Sequence, residues 1–424
     1  FLQAKKVGKR NMKKIKIALP MQILIALVLG VIFGIFGHEY VKYISWAGVV
    51  FLRFLKMIVV PIVFSSMVVG VAGMGNSGGL GRIAGKTFGF YIITTFIAAF
   101  VGMFFVNILE PGVGSTFIDQ ANGAAQTATA NKISLGERLI TIVPDNIFRS
   151  LTEGDLLAII FFAILFGFFV TKVEEKSRNM IVDVFQAVFD VIMKITLAVI
   201  KLAPIGVFAI VSKMIAEQAG DTAKLVEIAQ SLGMFVLIVW IGCMIQFFII
   251  LPAIVYFVGK ENPWKHMKKM STAILTAFST CSSGAALPIS MRDSQEKCGI
   301  SNKIASFTLP LGATINMNGT ALYECVAVIF IAQVYGVDLS FIEQLIIVVT
   351  VLFSAIGAAS IPMAGLVMLS VALSVAGLPL EGIGLVLAVE QLCDMPRTAT
   401  NSYGDMCAAV VIAKSEGEKL TISE

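Results

Sequence analysis

Long apolar segments alternate with short polar ones along almost the whole chain. A run of about twenty apolar residues is long enough to cross a bilayer as a helix. The pattern therefore predicts an all-α polytopic membrane protein with eight transmembrane helices. These spans are expected at about 19–37, 43–71, 88–109, 156–170, 181–215, 228–258, 304–335 and 383–413.

Two further apolar stretches do not fit a simple count of spans. The first, 274–291, lies between two basic segments, 265–269 and 292–303, so both of its ends belong on the cytoplasmic side. Small residues and a proline interrupt it at 280–288. Such a break is tolerated at membrane depth where protein or a watery cavity surrounds it. The stretch is therefore predicted to form a re-entrant hairpin entered from the cytoplasm.

The second stretch, 341–376, is flanked by loops without Lys or Arg and contains a small-residue break at 357–362. It is interpreted as a re-entrant hairpin entered from the outside. The preceding span contains Gly, Asn and Thr at 312–320, which favours an unwound helix. A hairpin followed by a broken span thus occurs twice, once from each side, as in the inverted repeats of secondary transporters. The alternative is that both breaks are ordinary kinks packed by small residues.

Charged and polar residues are concentrated in the last span. Positions 390, 394, 397, 401 and 405 fall within an arc of roughly 80° on one helix face. One such charge at the bilayer centre costs about 2.5–3.5 kcal/mol. The face is therefore predicted to bind a charged solute and its coupling ions. The alternative is a set of mutually neutralising ion pairs that hold helices together.

Composition agrees with a membrane protein, since 57% of residues are hydrophobic and only 14% are charged. The net charge of +5 lies in loops and indicates orientation, not binding of nucleic acid. Seven Lys or Arg between Lys5 and Lys16 place the N-terminus in the cytoplasm, and we interpret the start at Phe1 as a remnant of cloning or a fragment. The six cysteines form no C-x-x-C pair, so neither a disulfide framework nor a zinc site is predicted.

Three motifs and one segment then carry a resemblance. They are 282–288 (SSGAALP), 316–320 (NMNGT), 394–405 (DMPRTATNSYGD) and 56–62 (KMIVVPI). With them, nearly the whole chain resembles the dicarboxylate/amino acid:cation symporter family, the glutamate transporters, as a prokaryotic acidic amino acid transporter. The resemblance implies a fold of eight spans and two re-entrant hairpins.

The resemblance also implies residue roles. Arg397 would bind the side-chain carboxylate of glutamate or aspartate, for which the planar guanidinium suits bidentate pairing. Asp394 would hold the substrate's α-ammonium. The remaining substrate residues would be Asn401, Thr320, Ser282, Ser283, Thr398 and Ile361.

Sodium is the coupling ion that the resemblance implies most directly, with a proton as a second possibility and no organic cofactor. Three sodium sites would be formed: one by Gly312, Asn316, Asn401 and Asp405; one by carbonyls of Thr314, Ala355, Ile356 and Ala358; and one by Tyr91, Thr94, Thr95, Asn316 and Asn318.

Several positions depart from the family's pattern. Asn318 replaces a usual Asp, which weakens the third site because a hard cation in a low dielectric favours a carboxylate. Ser360 and Met363 alter the outer hairpin tip. Glu324 matches a glutamate linked to proton carriage in animal members, and Glu390 replaces a usual Asp. Both glutamates are proton-coupling candidates, and the alternative is that each is structural.

The expected function is inward symport of L-glutamate or L-aspartate, driven by Na⁺, H⁺ or both. A C4-dicarboxylate carrier of the same family is the alternative, and Asp394 favours an amino acid. An anion channel is less favoured because one polar face gives no continuous path. A hydrolase using Ser282, Ser283 and Asp405 lacks a suitable base, so no catalytic residue and no enzyme is predicted.

The resemblance further implies a homotrimer in the cell membrane, with both termini cytoplasmic and elevator-type alternating access. Helices 1, 2, 4 and 5 would form a scaffold, and the other helices with both hairpins would move as a transport domain. The expected divisions are an N-terminal segment, 1–16; scaffold helices, 17–87; helix 3, 88–109; an external loop and scaffold helices, 110–220; helix 6, 225–258; the inner hairpin, 262–298; helix 7, 301–335; the outer hairpin, 338–380; and helix 8 with a tail, 381–424.

Overall fold

The fold was analysed in a computed structural model that describes residues 19–74, 81–114, 143–218, 221–356 and 364–423. Within these ranges every regular element is a helix. The first half contains α1 Leu19–Phe36, α2 Ser45–Met74, α3 Gly81–Leu109, α4 Ile147–Glu153, α5 Leu156–Val170, α6 Glu175–Ile200, α7 Ala203–Ala216, α8 Thr222–Ile245 and α9 Leu251–Phe257. The second half contains α10 Pro263–Lys269, α11 Ser271–Thr280, α12 Ser283–Glu296, α13 Asn302–Ile315, α14 Asn318–Val334, α15 Phe341–Ile356, α16 Ala364–Ala376, α17 Ile383–Leu387 and α18 Glu390–Ser415.

Several of these helices are long and apolar enough to cross a membrane. Among the described residues four satisfy both conditions, and a fifth is added if the bent pair α6–α7 counts as one span. The four are Ser45–Ala72, Arg82–Leu109, Thr222–Phe257 and Asn302–Val334. Shorter apolar helices at Met21–Phe36, Ala158–Val170 and Phe341–Ser354 lie below the length criterion. The chain is thus a helical protein with several membrane-spanning helices.

The predicted span at 181–215 is not one continuous helix. The chain bends by 51° between α6 and α7. Pro204 lies in the first turn of α7, where its missing N–H would have no partner in any case. Because Pro204 has no backbone N–H, it cannot donate to the carbonyl four residues earlier. The preceding helix, α6, therefore ends before it.

The predicted inner hairpin at 262–298 is represented by α11 and α12, which pack against each other. Cys281 separates them in the left-handed conformation, with φ of 51°. Ser282 then caps α12 by accepting a hydrogen bond of 3.2 Å from the N–H of Ala285. A capped start directly after a left-handed residue reverses the chain within two residues.

The predicted unwound segment in the seventh span is a break at Asn316 and Met317. Asn316 has φ −86° and ψ 86°, and Met317 has φ −112° and ψ 51°, so neither is helical. The break separates α13 from α14, and α14 is buried along nearly its whole length. Backbone groups of the broken turn are thereby available inside the protein instead of within a helix.

The arms α15 and α16 of the predicted outer hairpin pack against each other and against α14. Its tip, with Gly357, Ala358, Ser360, Ile361 and Met363, lies outside the described residues. The basic N-terminal segment 1–16 and most of the predicted external loop, 115–142, also lie outside them.

The helices pack in two groups. In one, α2 contacts α5, α6 and α7, and α1 packs on α7. In the other, α18 is surrounded by α3, α8 and α11–α16. Some of these helices contact α18 itself, and the others contact α14, which packs on α18. The main contacts between the groups come from α16, which packs on α2 and α5. Each group therefore packs mainly on itself.

The segment after α18 folds back onto the ends of the second group. Leu420 and Ile422 are buried in an apolar cluster with Met270 and Cys298. Thr421 N–H donates to the carbonyl of Cys298 at 3.0 Å. The C-terminal segment therefore joins the ends of the α11–α12 hairpin to α18.

Candidate functional site

The polar face of α18 is buried at the centre of the second helix group. Arg397 is 1% exposed, and Glu390, Asp394, Asn401 and Asp405 are each buried as well. The prediction placed these five residues on one helix face, and all five lie on α18 between α13, α14 and α11. Their burial means that each charge must be compensated by a neighbour.

Arg397 is held by two carboxylates of its own helix. Its Nη2 lies 2.7 Å from Glu390 Oε1 and 2.8 Å from Asp394 Oδ1, and its Nε donates to the same Asp394 oxygen at 3.2 Å. Thr398 Oγ1 also donates to Asp394 Oδ1, at 2.9 Å. Carboxylates three and seven residues earlier lie on the same face as Arg397, because these spacings are close to whole helical turns.

The remaining side of the guanidinium faces other helices. Its Cζ lies 4.4 Å from the centroid of the Tyr323 ring on α14, in cation–π geometry. Arg397 Nη1 is buried and has no hydrogen-bond acceptor among the described residues. Nη1 is thus a donor at which an added carboxylate oxygen can bind.

Asn401 joins α18 to the start of α14. Its Oδ1 accepts from the N–H of Gly319 at 2.7 Å and from that of Thr320 at 3.4 Å. Its Nδ2 donates to Thr320 Oγ1 at 3.0 Å and lies 3.4 Å from Met317 Sδ. The Asn401 side chain thus accepts hydrogen bonds from N–H groups at the N-terminus of α14 that have no partner within the helix. The broken turn and α18 therefore hold each other in place.

Asp405 and Asn316 form a second polar centre. Asn316 Nδ2 donates to Asp405 Oδ1 at 2.8 Å and to the Asn401 carbonyl at 3.3 Å. Gly312 approaches so closely that an added Cβ would lie 2.6 Å from Asp405 Cγ and 2.5 Å from Tyr91 Oη. The predicted first cation set is therefore assembled in one place, and Asn316 Oδ1 remains there without a partner among the described residues.

Asn318 adjoins this centre. Thr95 Oγ1 donates to Asn318 Oδ1 at 2.8 Å, and Asn318 Nδ2 is buried with no described partner. An added Cβ at Gly404 would lie 2.6 Å from Asn316 Nδ2 and 2.8 Å from Asn318 Nδ2, so both amides converge on that glycine. Tyr91 Oη donates to the Thr308 carbonyl at 2.9 Å.

Other predicted site residues are more scattered. Thr94 is buried, but its hydroxyl donates to the carbonyls of Phe90 and Tyr91 on its own helix. Thr314 is exposed, and its hydroxyl donates to Leu311. Ala355 and Ile356 end α15. Ala358 and Ile361 lie outside the described residues, so the predicted second sodium set is described only in part.

The inner hairpin reaches α18 through a serine pair. Ser402 Oγ donates to Ser283 Oγ at 3.1 Å, and both side chains are buried. Ser282, at the hairpin turn, is partly exposed. The predicted substrate residues at 282–283 thus lie at the start of α12, where free N–H groups favour negative charge.

Glu324 lies one residue after Tyr323 and is fully buried. Ser354 Oγ on α15 donates to Glu324 Oε2 at 2.9 Å, while Oε1 has no partner among the described residues. The glutamate therefore links α14 to the first arm of the outer hairpin.

Several residues that complete these centres were not predicted from the sequence. They are Tyr323, Ser354, Gly365, Met317 and Ser402. Ser354 could have been predicted as a site residue, since it is a polar residue in an apolar helical arm.

Among the described residues, no group of three His, Cys, Asp or Glu side chains could hold a metal ion. Any cation here would instead need amide and carbonyl oxygens beside one carboxylate, a ligand type suited to hard cations.

An all-helical bundle with broken helices meeting at a buried, charged centre is the architecture of a secondary membrane transporter. Comparison with known proteins agrees. The family model described as sodium:dicarboxylate symporter family matches residues 19–415. The chain belongs to this family, which confirms the resemblance and the prediction of a transporter instead of an enzyme.

Curated relatives cover almost the whole chain. A proton/sodium-glutamate symport protein of Bacillus caldotenax is 36% identical over 411 residues, covering 95% of this chain and 96% of the relative. The proton/glutamate-aspartate symporter of Escherichia coli (strain K12) is 34% identical over 424 residues, covering 96% and 94%. A C4-dicarboxylate transport protein of Bacillus subtilis (strain 168) is 32% identical over 404 residues, covering 94% of each.

Proposed function

We propose that this protein is a secondary active symporter that carries L-glutamate or L-aspartate inward, coupled to Na⁺, H⁺ or both. The observation that carries the proposal is the buried Arg397, which lies beside Asp394 and whose Nη1 has no acceptor in the part of the chain that the structure describes. A guanidinium suits the substrate's side-chain carboxylate, and a carboxylate suits its α-ammonium. The names of the relatives from Bacillus caldotenax and Escherichia coli support the same substrates.

The substrate would lie between α18, the break at the start of α14 and the two hairpins. Arg397 and Asp394 would bind its charged ends, while Asn401, Thr320 and Thr398 would orient it. The amides at the start of α12, next to Ser282 and Ser283, would receive carboxylate oxygens. Ile361 would contribute from the outer tip.

Coupling cations would bind beside the substrate. Asp405, Asn316, Asn401 and the carbonyl of Gly312 form the proposed first sodium site, supported by their convergence around the 2.8 Å contact between Asn316 and Asp405. The Thr314 carbonyl and those at 355–358 would form a second. A third, with Tyr91, Thr94, Thr95, Asn316 and Asn318, would lack a carboxylate at position 318.

Protons have two candidate carriers. Glu324 is buried with one oxygen bonded to Ser354, and Glu390 is buried with one oxygen paired to Arg397. In each the second oxygen has no partner among the described residues, so a proton can bind there without displacing a hydrogen bond. Symport of H⁺ with an anion would also reduce the electrical cost of inward movement, about 2.3 kcal/mol per charge per 100 mV.

The architecture proposed for this function has eight spans, two re-entrant hairpins and elevator-type movement within a homotrimer. The first helix group, α1, α2 and α5–α7, would be the scaffold, and the second would be the moving transport domain. The packing of each group on itself supports this division. Basic residues near the N-terminus and after α9 support cytoplasmic termini in a cell membrane.

A C4-dicarboxylate carrier is the second candidate, since one relative bears that name. Asp394 is the discriminating residue, because a substrate without an ammonium has no use for a second buried carboxylate near Arg397. Exchange of Asp394 for Asn should therefore abolish aspartate uptake if the substrate is an amino acid. The protein would instead be a C4-dicarboxylate carrier if the wild type takes up no aspartate and the Asp394→Asn variant takes up succinate as well as the wild type does, or better.

The experiment that tests the proposal is uptake of radiolabelled L-aspartate, L-glutamate and succinate into proteoliposomes, with Na⁺ and H⁺ gradients imposed separately. Uptake of either amino acid under at least one gradient is expected. Sodium-driven uptake would assign coupling to the Asp405 centre, and proton-driven uptake would assign it to Glu324 or Glu390. Absence of amino acid uptake under both gradients would contradict the proposal.

A further inference from the structure

The turn between α9 and α10 exposes large apolar side chains together with lysines. Tyr256 and Phe257, in the last turn of α9, are 60% and 74% exposed. Trp264, in the first turn of α10, is 57% exposed. Two lysines of the same segment are exposed as well. The side chains that define this surface, called the 256–268 surface below, are Tyr256, Phe257, Val258, Lys260, Trp264 and Lys268.

The 256–268 surface lies where a membrane-spanning helix ends. The helical segment Thr222–Phe257 is long and apolar enough to cross a bilayer, so its last turn reaches the boundary between acyl chains and headgroups. Lys260 is in the left-handed conformation, with φ of 52°, and turns the chain. Asn262 then caps α10 by accepting hydrogen bonds of 3.0 Å from the N–H groups of Trp264 and Lys265. Helix α10 therefore begins within a few residues of the headgroup boundary.

Helix α10 has one exposed face. Trp264, Lys265 and Lys268 are exposed and fall within about 100° of arc. Pro263 and His266 lie on the opposite side of the helix and are buried. An indole ring beside lysines is typical of a membrane–water interface, because the ring lies at headgroup level and each lysine stem covers apolar surface while its ammonium stays in water.

The positive charge of the surface is not neutralised by a neighbouring acid. Glu261 is the single acidic residue between 254 and 269, and it is buried. Lys414 Nζ lies 2.7 Å from its Oε1, and Ser423 Oγ donates to its Oε2 at 2.9 Å. Within the part of the chain that the structure describes, neither Lys260 nor Lys268 forms an ion pair. The exposed lysines are therefore available to attract an anion to this surface.

We propose that the 256–268 surface binds the headgroups of anionic phospholipids in the adjoining leaflet. The three apolar side chains after residue 255 pack against acyl chains, Trp264 lies at headgroup level, and the two lysines bind phosphate oxygens. Helix α9 packs on α18, so the lipid is bound by the same helix group that surrounds Arg397. The inference goes beyond the proposed function, since it requires neither substrate nor coupling ion.

The first test measures quenching of Trp264 fluorescence by brominated lipids in reconstituted vesicles. The exchanges Trp46→Phe and Trp240→Phe leave Trp264 as the single tryptophan of the chain. Brominated phosphatidylglycerol should quench Trp264 more strongly than brominated phosphatidylcholine at equal mole fraction. The relative affinity for the anionic lipid should fall about fivefold for each lysine removed, and therefore about 25-fold in Lys260→Gln/Lys268→Gln. Equal quenching by the two lipids before any lysine is removed would overturn the proposal.

A control with the same loss of charge separates this surface from net charge. Lys172→Gln/Lys176→Gln removes two exposed lysines near the start of α6, in the first helix group. This variant should keep the full preference for phosphatidylglycerol at Trp264. An equal loss of preference in both double variants would mean that Trp264 responds only to the total charge of the protein, which would overturn the proposal.

The second test distinguishes a lipid from a soluble anion. Thermal midpoints in detergent are compared after addition of short-chain phosphatidylglycerol, short-chain phosphatidylcholine or glycerol 3-phosphate. Phosphatidylglycerol should raise the midpoint most, and its advantage should disappear in Lys260→Gln/Lys268→Gln. An equal rise with glycerol 3-phosphate would assign the surface to a soluble anion and overturn the proposal.

Neither test depends on transport. If Lys260→Gln/Lys268→Gln is not monodisperse, Lys268→Gln alone should still lose about fivefold in relative affinity, and no loss would contradict the proposal. A protein that takes up no acidic amino acid but prefers phosphatidylglycerol at Trp264 would contradict only the proposed function. Uptake of aspartate without that lipid preference would contradict only the lipid site.

Discussion

Arg397 and Glu390 form a buried ion pair of 2.7 Å across two turns of α18. Asp394 shares the same guanidinium, so two carboxylates face one cation and the cluster bears a formal charge of −1 when all three are ionised. An anionic substrate must enter a site that already contains an excess of negative charge. Glu390 therefore competes with the substrate's carboxylate for Arg397.

Exchange of Glu390 for Gln should strengthen substrate binding. The amide keeps the size of the side chain but removes the competing charge, so the KM for L-aspartate at pH 7.5 should fall about tenfold, equivalent to about 1.4 kcal/mol. Glu390→Asp retains the charge and is the control, with a KM near that of the wild type. A higher KM in Glu390→Gln would instead mean that Glu390 orients Arg397.

Asn318 should limit the number of sodium ions that are transported. Its Nδ2 is buried without a described acceptor, and its Oδ1 accepts from Thr95 at 2.8 Å. Asn318→Asp replaces a donor by an anionic oxygen, which hard cations prefer. The Na⁺ concentration for half-maximal uptake should fall and the Hill coefficient should rise.

Asn318→Ala is the control for this experiment, since it removes the amide without adding charge and should not sharpen the sodium response. Identical sodium dependence of Asn318→Asp and the wild type would show that position 318 does not face a transported cation.

Glu324 should carry the proton if uptake responds to a proton gradient. Its Oε1 is free of described partners, and an amide at this position cannot bind a proton there at neutral pH. Glu324→Gln should therefore abolish proton-driven uptake and leave sodium-driven uptake in place. Ser354→Ala removes only the 2.9 Å hydrogen bond and should shift the pH profile without abolishing it. Full proton-driven uptake in Glu324→Gln would assign the proton to another group.

Glu416, at the end of α18, should make stability depend on acid pH. Arg82 and Lys86 donate to its carboxylate and lower its pKa from 4.5 to about 2. A lowered pKa stabilises the folded state above the ordinary value of 4.5, and this contribution is lost as the pH falls from there towards 2. The thermal midpoint in detergent should fall across this window in the wild type.

Glu416→Gln should lack that part of the pH dependence, and its midpoint at pH 7 should be lower because the two cations lose their partner. The matched control is Glu153→Gln in α4, whose partner Arg149 is exposed and whose ion pair joins no separate helices. Parallel pH curves for Glu416→Gln and the wild type would contradict this role.

The polar face of α18 could be predicted from the sequence because it depends only on helical periodicity. Residues 390, 394 and 397 meet through one helix, so their spacing alone places them together. The breaks at 281 and 316–317 were also predictable, since small and polar residues interrupt apolar runs there. Local pattern and buried charge were therefore sufficient to predict the polar face of α18 and the two breaks.

The contacts between helices could not be predicted in this way. Tyr323 and Gly365 reach Arg397 only through the packing of α14 and α16 on α18, and no spacing in the sequence records that packing. The bend between α6 and α7 was missed because an apolar run of sufficient length conceals a helix start at Pro204. The burial of Ile422 was missed because short terminal segments carry little periodic signal.

The central claim is that Arg397 binds the substrate's side-chain carboxylate. Its most direct test is equilibrium binding of L-aspartate and of neutral L-serine to the wild type and to Arg397→Ala, with each protein confirmed as monodisperse. The account predicts that Arg397→Ala loses aspartate binding by at least about 100-fold, as expected for a buried charged pair, while serine binding is not weakened. Retained aspartate affinity in a folded Arg397→Ala protein would contradict the account.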